Sequence, residues 1–137
     1  MINAIQIALT GLNAASRKVE AVASNIANLQ VEGSLDNPEQ APYRPLTTQQ
    51  TAITDGNGQG LGVTSGFVPK TQPFVPAYNP GSPFANSEGV VGVPNVDLAE
   101  ESVNLTIAKN AYKANLSVIK TTEEMTDELL RTFDRDA

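Results

Sequence analysis

The chain has 137 residues, a net charge of −6 at pH 7 and 40% hydrophobic residues, with only 5% aromatic residues and no tryptophan. This acidic balance argues against a nucleic-acid-binding protein, because such binding depends on clustered lysine and arginine. Cysteine and histidine are both absent, which excludes zinc thiolate sites, cysteine nucleophiles, histidine general bases and disulfides.

The positions of proline divide the sequence into three parts. All nine prolines lie between Pro38 and Pro94, and the flanking segments contain almost no helix-breaking residues. We therefore predict a mainly α fold with a small β insert, in which two long helices pair as a coiled coil. The expected division is an N-terminal helix over residues 1–33, a central insert over residues 34–94 and a C-terminal helix over residues 95–137.

The N-terminal part has apolar residues at the spacing of one helical face. This spacing alternates between three and four residues over nearly four heptads, as in coiled coils. We call this face the N-terminal seam, and its positions are Ile2, Ile5, Leu9, Leu12, Ser16, Val19, Ala23 and Ile26. The same stretch lacks a basic start and has polar residues within its apolar run, so no secretory leader is expected.

Two asparagines, Asn25 and Asn28, lie near the end of this predicted helix, although asparagine is only a moderate helix former. With Ala23 and Ile26 on the N-terminal seam, both amides are expected to point away from the partner helix. Two interpretations remain open. The amides form ordinary polar surface at a fraying helix end, or they make directional contacts with neighbouring subunits.

The central insert contains sequence that is typical of short β strands. Residues 47–54 and 60–69 predict two strands, and the DGNGQG sequence between them predicts a turn with positive φ angles. Residues 69–89 contain too many prolines for a central strand, which favours an extended loop. A calcium loop starting at Asp55 is disfavoured, because its twelfth position is Gly66 instead of glutamate.

The C-terminal part again has helical periodicity. Asn95 or Asp97 can cap the helix, and Glu100 and Glu101 lie in its first turn, where we expect them to form solvated surface. The apolar residues form two rows, which are Val103, Ile107, Ala111, Ala114, Val118, Met125 and Leu129, and Leu98, Leu105, Tyr112 and Ile119. Together they are wider than one partner helix would cover. We therefore expect one row to meet the N-terminal seam and the other to meet neighbouring subunits.

Both ends of the chain resemble the flagellar rod, hook and axial protein family. Residues 8–33 are similar to its N-terminal signature, including the SN-AN box at Ser24, Asn25, Ala27 and Asn28, although the sequence after the box departs from the usual pattern. Residues 77–125 are similar to proximal rod members. The matching positions are Tyr78, Asn79, Pro80, Gly81, Pro83, Glu88, Gly89, Pro94, Asn95, Val96, Glu101, Val103, Asn104, Tyr112, Ala114, Asn115, Thr121 and Thr122.

This resemblance implies a structural subunit of the proximal rod of the flagellar basal body, with no enzymatic activity and no cofactor or metal. It implies helical assembly that transmits motor torque, a location in the periplasmic rod, and export by the flagellar type III apparatus without a cleaved signal peptide. The implied partners are other copies of the chain, the rod proteins FlgB, FlgF, FlgG and FliE, and the rod cap FlgJ. Nucleic acid and a membrane span are not expected.

The expected assembly interface combines the N-terminal seam, the two asparagines and the C-terminal rows. Its residues are Leu9, Leu12, Val19, Asn25, Ile26, Asn28, Val103, Ile107, Tyr112, Asn115, Val118 and Met125. One alternative is a sister family member, such as FlgB or a distal rod protein, which the sequence of residues 78–96 would distinguish. Another is a peptidoglycan-binding module carried by the insert, against which the absence of tryptophan counts.

Overall fold

The computed structural model describes the backbone of residues 2–135 and the side chains of residues 3–133. The predicted mainly α fold with a small β insert between two long helices is confirmed. In chain order the elements of the described residues are α1 (Ile2–Ala27), a short 3-10 helix (Pro38–Gln40), β1 (Leu46–Thr54), β2 (Gly60–Pro69), β3 (Phe74–Tyr78), β4 (Val90–Pro94) and α2 (Leu98–Arg135).

The two long helices pair in antiparallel orientation. Asn25 hydrogen bonds to Glu101, and Gly11, fourteen residues earlier, lies directly against Asn115, fourteen residues later. If this antiparallel pairing continues at the same register, the first turn of α1 lies beside residues 123–125 of α2. Because α2 has 38 residues and α1 has 26, α2 continues beyond the start of α1. We call residues 125–135 the α2 overhang, which is about 16 Å long at the rise of an α-helix.

The face of α1 that meets α2 consists mainly of small residues. It carries Gly11 and Asn25, and its other members at three- and four-residue spacing are buried or half-buried. We call this face the small-residue stripe, and its positions are Ala4, Ala8, Gly11, Ala15, Lys18, Val22 and Asn25. A side chain at Gly11 would collide with Asn115, so the absence of one lets the two backbones approach closely.

The prediction that the N-terminal seam forms the centre of the helix pair is wrong. The seam lies one residue, or about 100°, around α1 from the small-residue stripe. Its large members Leu9, Val19 and Ile26 are exposed, and the side chain of Ile2 lies outside the described residues. Large side chains at the centre would hold the helices apart, whereas alanine and glycine permit the contact with Asn115.

The inner face of α2 is also small or polar. Its buried or half-buried residues along the pair are Glu101, Asn104, Ala108, Asn115, Ile119 and Thr122. Both predicted apolar rows are therefore displaced from the pair, since the large side chains of each are exposed and only Ile119 is half-buried. The helix pair buries its polar side chains and leaves its large apolar side chains outside.

Strands β1 and β2 form the predicted hairpin. They pair antiparallel from Leu46 opposite Pro69 to Thr54 opposite Gly60. In the turn, the Asp55 carboxylate accepts hydrogen bonds from the backbone N–H groups of Asn57 and Gln59, at 2.9 and 2.7 Å, while a positive φ occurs at the glycine between them. These contacts explain why the aspartate belongs to the turn itself.

The hairpin lies along α1. At one end Asn25 binds the backbone of Leu46, and at the other the Thr10 hydroxyl accepts a hydrogen bond from the backbone N–H of Val63 at 3.1 Å. Fifteen helical residues and six strand residues span these two anchors, about 22 Å and about 20 Å respectively. Only glycine fits at position 62, where φ is +122° and the chain lies against Thr10. The equal lengths keep the hairpin in contact with the helix.

Two predictions in the insert need correction. The predicted loop over residues 69–89 contains strand β3, which pairs antiparallel with β4. Pro76 has no N–H to donate, and it lies opposite Gly92 in this pair. This is tolerated because the N–H and C=O groups of Gly92 bind the backbone of Gly33 on the other side. The first helix ends at Ala27 and not at Gly33; the chain then turns, and Gly33 pairs with Gly92 in an isolated bridge.

The start of α2 agrees with the prediction of a capping residue. The Asp97 carboxylate accepts hydrogen bonds from the backbone N–H groups of Ala99 and Glu100, at 2.7 and 3.4 Å. Asn95 instead donates its side-chain amide to the carbonyl of Gln72 at 3.0 Å. Over the described residues, neither long helix has the length and hydropathy needed to cross a bilayer.

Candidate assembly surfaces and the Asn25 junction

Asn25 is the centre of a buried polar junction at one end of the helix pair. It lies in the last turns of α1, on the small-residue stripe, and is 1% exposed. Its side-chain amide donates to the carbonyl of Leu46 and to Glu101 Oε1, both at 2.8 Å. Its carbonyl oxygen accepts from the backbone N–H of Leu46 at 2.8 Å and from the Tyr43 hydroxyl at 3.1 Å. These four bonds use both donors and both acceptor positions of the amide.

The Leu46 backbone fixes the orientation of this amide. A backbone N–H can only donate and a carbonyl can only accept, so the oxygen and nitrogen of Asn25 cannot be exchanged. The expectation that Asn25 points outwards to a neighbouring subunit is therefore wrong. Its polar atoms are all occupied within the chain, where they join α1 to α2 and to the first residue of β1.

Glu101 is the second buried member of the junction, at 2% exposed. Besides the amide of Asn25, its carboxylate faces Lys70 at 3.6 Å, and the same ammonium group binds Glu100 at 3.1 Å. A buried carboxylate requires a donor and a cation of this kind. The expectation of solvated surface holds for Glu100, which is exposed, and is wrong for Glu101.

The remaining members of the SN-AN box also make contacts within the chain. The Ser24 hydroxyl lies 2.8 Å from the Tyr43 hydroxyl, and the Asn28 side chain donates to the Ser24 carbonyl at 2.8 Å. Asn28 is half-buried, and its bond satisfies a carbonyl at the C-terminal end of α1. The box therefore ends the helix and attaches it to the insert.

The predicted large apolar interface residues lie on the outside of the chain. Leu12 is half-buried, and the others are exposed, namely Leu9, Val19, Ile26, Val103, Ile107, Tyr112, Val118 and Met125. Asn115 differs from them, because it lies against Gly11 inside the helix pair and donates to the carbonyl of Ala111 at 2.8 Å. An extended set of exposed apolar side chains on one pair of helices is typical of an interaction surface.

Part of this surface forms a groove of about 750 Å³ between the outer edges of the two helices. We call it the helix groove, and it is lined by Ser16, Val19, Glu20, Leu105, Lys109, Tyr112, Lys113 and Leu116. The seam residues Ser16 and Val19 thus face α2 from the side. The groove brings together residues of the N-terminal seam and of one C-terminal row, beside the centre of the pair.

Sequence reasoning missed three members of the junction, Tyr43, Glu101 and Lys70. Tyr43 and Lys70 lie in loops and have no sequence pattern that indicates their position. Glu101, in contrast, begins a heptad-spaced set with Asn104, Ala108 and Asn115, so a search for small and polar periodicity would have found it.

Comparison with known proteins gives two family matches and a set of full-length relatives. The family described as "Flagella basal body rod protein" matches residues 5–33, and "Flagellar basal body rod FlgEFG protein C-terminal" matches residues 87–132. A protein of Salmonella typhimurium named flagellar basal-body rod protein FlgC is 32% identical over 91% of this chain and 92% of its own length. Its namesake in Agrobacterium fabrum is 35% identical over 89% and 87%, and that in Borreliella burgdorferi is 31% identical over 91% and 92%.

Proposed function

Because the chain belongs to the FlgC family of flagellar basal-body rod proteins, we propose that it assembles helically in the proximal rod and transmits motor torque there. As a member of this family it is a structural subunit of the rod and not an enzyme. The relatives bear the FlgC name, which supports this assignment over a sister rod protein. The match over nine-tenths of the chain also supports it over a peptidoglycan-binding module.

The observation that carries the proposal is the inverted composition of the helix pair. Small and polar side chains lie between the helices, while leucine, isoleucine, valine and tyrosine side chains face outwards. An isolated protein gains little from such an arrangement, because burial of large apolar side chains is the main source of stability. In a tightly packed filament the same side chains are covered by neighbouring subunits. Contacts of this kind that do not close on themselves produce a helical assembly.

The spacing of the small-residue stripe supports coiled-coil pairing of the two helices in the assembled rod. Its steps alternate between three and four residues from Ala4 to Asn25, which keeps one face towards the partner helix. A buried asparagine at such a position fixes register in coiled coils, and Asn25 makes that contact with Glu101.

The proposal includes the expected neighbours and route. The subunit contacts other copies of itself and the rod proteins FlgB, FlgF, FlgG and FliE, with FlgJ as the rod cap. It reaches the periplasmic rod through the flagellar type III apparatus without a cleaved signal peptide. The outward apolar surfaces on two different helices support contacts with more than one neighbour.

Deletion of the gene followed by electron microscopy of purified basal bodies tests this function. We expect the mutant to lack the rod beyond the inner-membrane ring, and the wild-type gene to restore it. Basal bodies that retain the proximal rod and lose only its distal part would instead assign the chain to a distal rod protein. Intact rods in the deletion strain would contradict the proposal altogether.

A further inference from the structure

We propose that the α2 overhang of one copy docks in the helix groove of a second copy of this chain. The inference rests on the proposed rod function and names one of the contacts through which copies would assemble. It follows from the shape, length and charge of the two surfaces.

The α2 overhang has two chemically different faces. One face carries apolar side chains that are between 45 and 66% exposed, which are Met125, Leu129, Leu130 and Phe133. The opposite face carries Asp127, Glu128 and Arg131, and the residues just before the overhang add Glu123 and Glu124 on the same side. These spacings place the two sets on opposite sides of a helix. The overhang is therefore an amphipathic, acidic helix end whose apolar side needs a partner.

The apolar face of the overhang continues the direction of the inner face of α2. Along the helix pair this direction is occupied by Ile119 and Thr122, which are half-buried and buried. Beyond Thr122, Leu129 and Phe133 lie on the same face of α2, and their side chains are large and apolar. The change from threonine to leucine and phenylalanine occurs where α1 begins, so the overhang is suited to a different partner.

The helix groove has the complementary properties. Its floor is apolar, with Val19, Leu105, Tyr112 and Leu116, and its charged residues are Lys109, Lys113 and Glu20, which leave a net positive charge. From Leu105 to Leu116 it is about 16 Å long, and the apolar face from Met125 to Phe133 is about 12 Å long. The two lysines can pair with Glu123 and Glu128, which border the apolar face of the docked helix on either side.

The occupant must be a second copy and not the overhang of the same chain. Leu116 and Met125 belong to one continuous helix, and nine residues separate them by about 14 Å along its axis. The overhang therefore cannot fold back into its own groove without breaking α2. Since groove and overhang are different surfaces, each copy offers one and receives one, which is the head-to-tail contact that a helical assembly requires.

Cysteine cross-linking tests the contact, since the natural chain contains no cysteine. We expect the full-length variant Leu116→Cys/Leu129→Cys to form a ladder of disulfide-linked oligomers under oxidising conditions, in concentrated solution and in basal bodies. The single variants should stop at dimers. The matched control is Leu116→Cys/Glu124→Cys, whose second cysteine lies on the acidic face and should give no ladder.

Charge reversal provides the second measurement. Lys109→Glu/Lys113→Glu should reduce the ladder roughly tenfold or more, and the addition of Glu123→Lys/Glu128→Lys, at the two borders of the apolar face, should restore it. Equal ladders from the Leu129→Cys and Glu124→Cys pairs would overturn the docking of the overhang in the groove. So would the absence of a ladder in strains that build normal rods, and in both cases the rod function would stand. Cross-linking of the Leu129→Cys variant only to a different rod protein would also overturn the docking. Failure of the unmodified gene to restore rods would instead refute the function.

Discussion

Asn25 and Ile26 are neighbours in the sequence, and they show the difference between the inside and the outside of the helix pair. The polar residue is buried with all its hydrogen bonds formed within the chain, whereas the apolar residue is 41% exposed. The same contrast extends along both helices. The polar groups inside the helix pair find their partners within a single chain, while the outside carries large apolar side chains that an isolated protein would bury.

This contrast separates two functions of the same pair of helices. Contacts inside the pair are specific and polar, so they determine how α1, α2 and the hairpin are arranged in each subunit. Contacts outside are apolar and extensive, so they can hold subunits together. Substitutions should therefore affect either the fold of one subunit or its assembly, and the two effects can be measured separately.

The largest effect on folding is expected from Asn25→Ala. It leaves both backbone groups of Leu46 without partners and removes a donor from the buried Glu101 carboxylate. We expect the free energy of unfolding to fall by about 3–5 kcal/mol, measured by urea denaturation followed by circular dichroism. Asn28→Ala is the matched control and should cost about 1 kcal/mol, because it removes one bond near the helix end. Equal midpoints for both variants would refute the assigned role of the junction.

Gly11→Leu is expected to have an intermediate effect. Any side chain at Gly11 collides with Asn115, so the helices must separate or shift, at a cost of about 1–3 kcal/mol. The measurement is again the free energy of unfolding, and Asn13→Leu on the exposed side of α1 should change it by less than about 0.5 kcal/mol. If both leucine variants had the same stability, close packing at Gly11 would not be important for the pair.

Ile26→Asp and Tyr112→Asp should have little effect on the fold of one subunit. Both side chains are about two-fifths exposed, so the free energy of unfolding should fall by about 1 kcal/mol, well below the effect of Asn25→Ala. Assembly should nevertheless fail, because a carboxylate would be buried between subunits. Expression, export and electron microscopy of basal bodies distinguish these outcomes. Normal rods in either variant would show that its side chain lies outside the assembly interface.

Amide hydrogen exchange should show the contrast without any substitution. The backbone N–H of Leu46 donates to the buried Asn25 carbonyl oxygen, whereas the α2 overhang lies beyond the start of α1 and has no helix packed beside it in the described chain. In the free subunit we therefore expect slow exchange at Leu46 and fast exchange in the overhang. In the assembled rod, exchange in the overhang should become slow. Equal protection of both regions in the free subunit would contradict the difference between them.

The sequence predicted the architecture well because prolines and turn residues mark it directly. The distribution of proline indicated two helices around an insert, and DGNGQG indicated the hairpin turn. Strand β3 was missed because a proline can occupy it only where Gly92 pairs with Gly33 instead, and these two glycines lie far apart in the sequence.

The helix faces were assigned wrongly for a different reason. The prediction placed the largest apolar side chains at the centre of the pair, as is correct for a protein that folds alone. In a subunit that neighbours cover, those side chains belong outside, and the inner stripe is recognised by alanine and glycine instead. Asn25 has the correct spacing for that stripe. Its partners Tyr43 and Leu46, in contrast, could be identified only from the folded chain.

The attachment of the hairpin to α1 at two points determines where the chain can tolerate additional residues. Between the Asn25–Leu46 and Thr10–Val63 contacts, an inserted residue would lengthen the strand by about 3.3 Å while the helix stays the same. It would also turn every later side chain to the opposite face. Beyond the second contact, the turn at Asp55 to Gln59 is exposed or half-exposed and has no such restriction. A peptide tag or a fluorescent label placed there should leave the subunit folded.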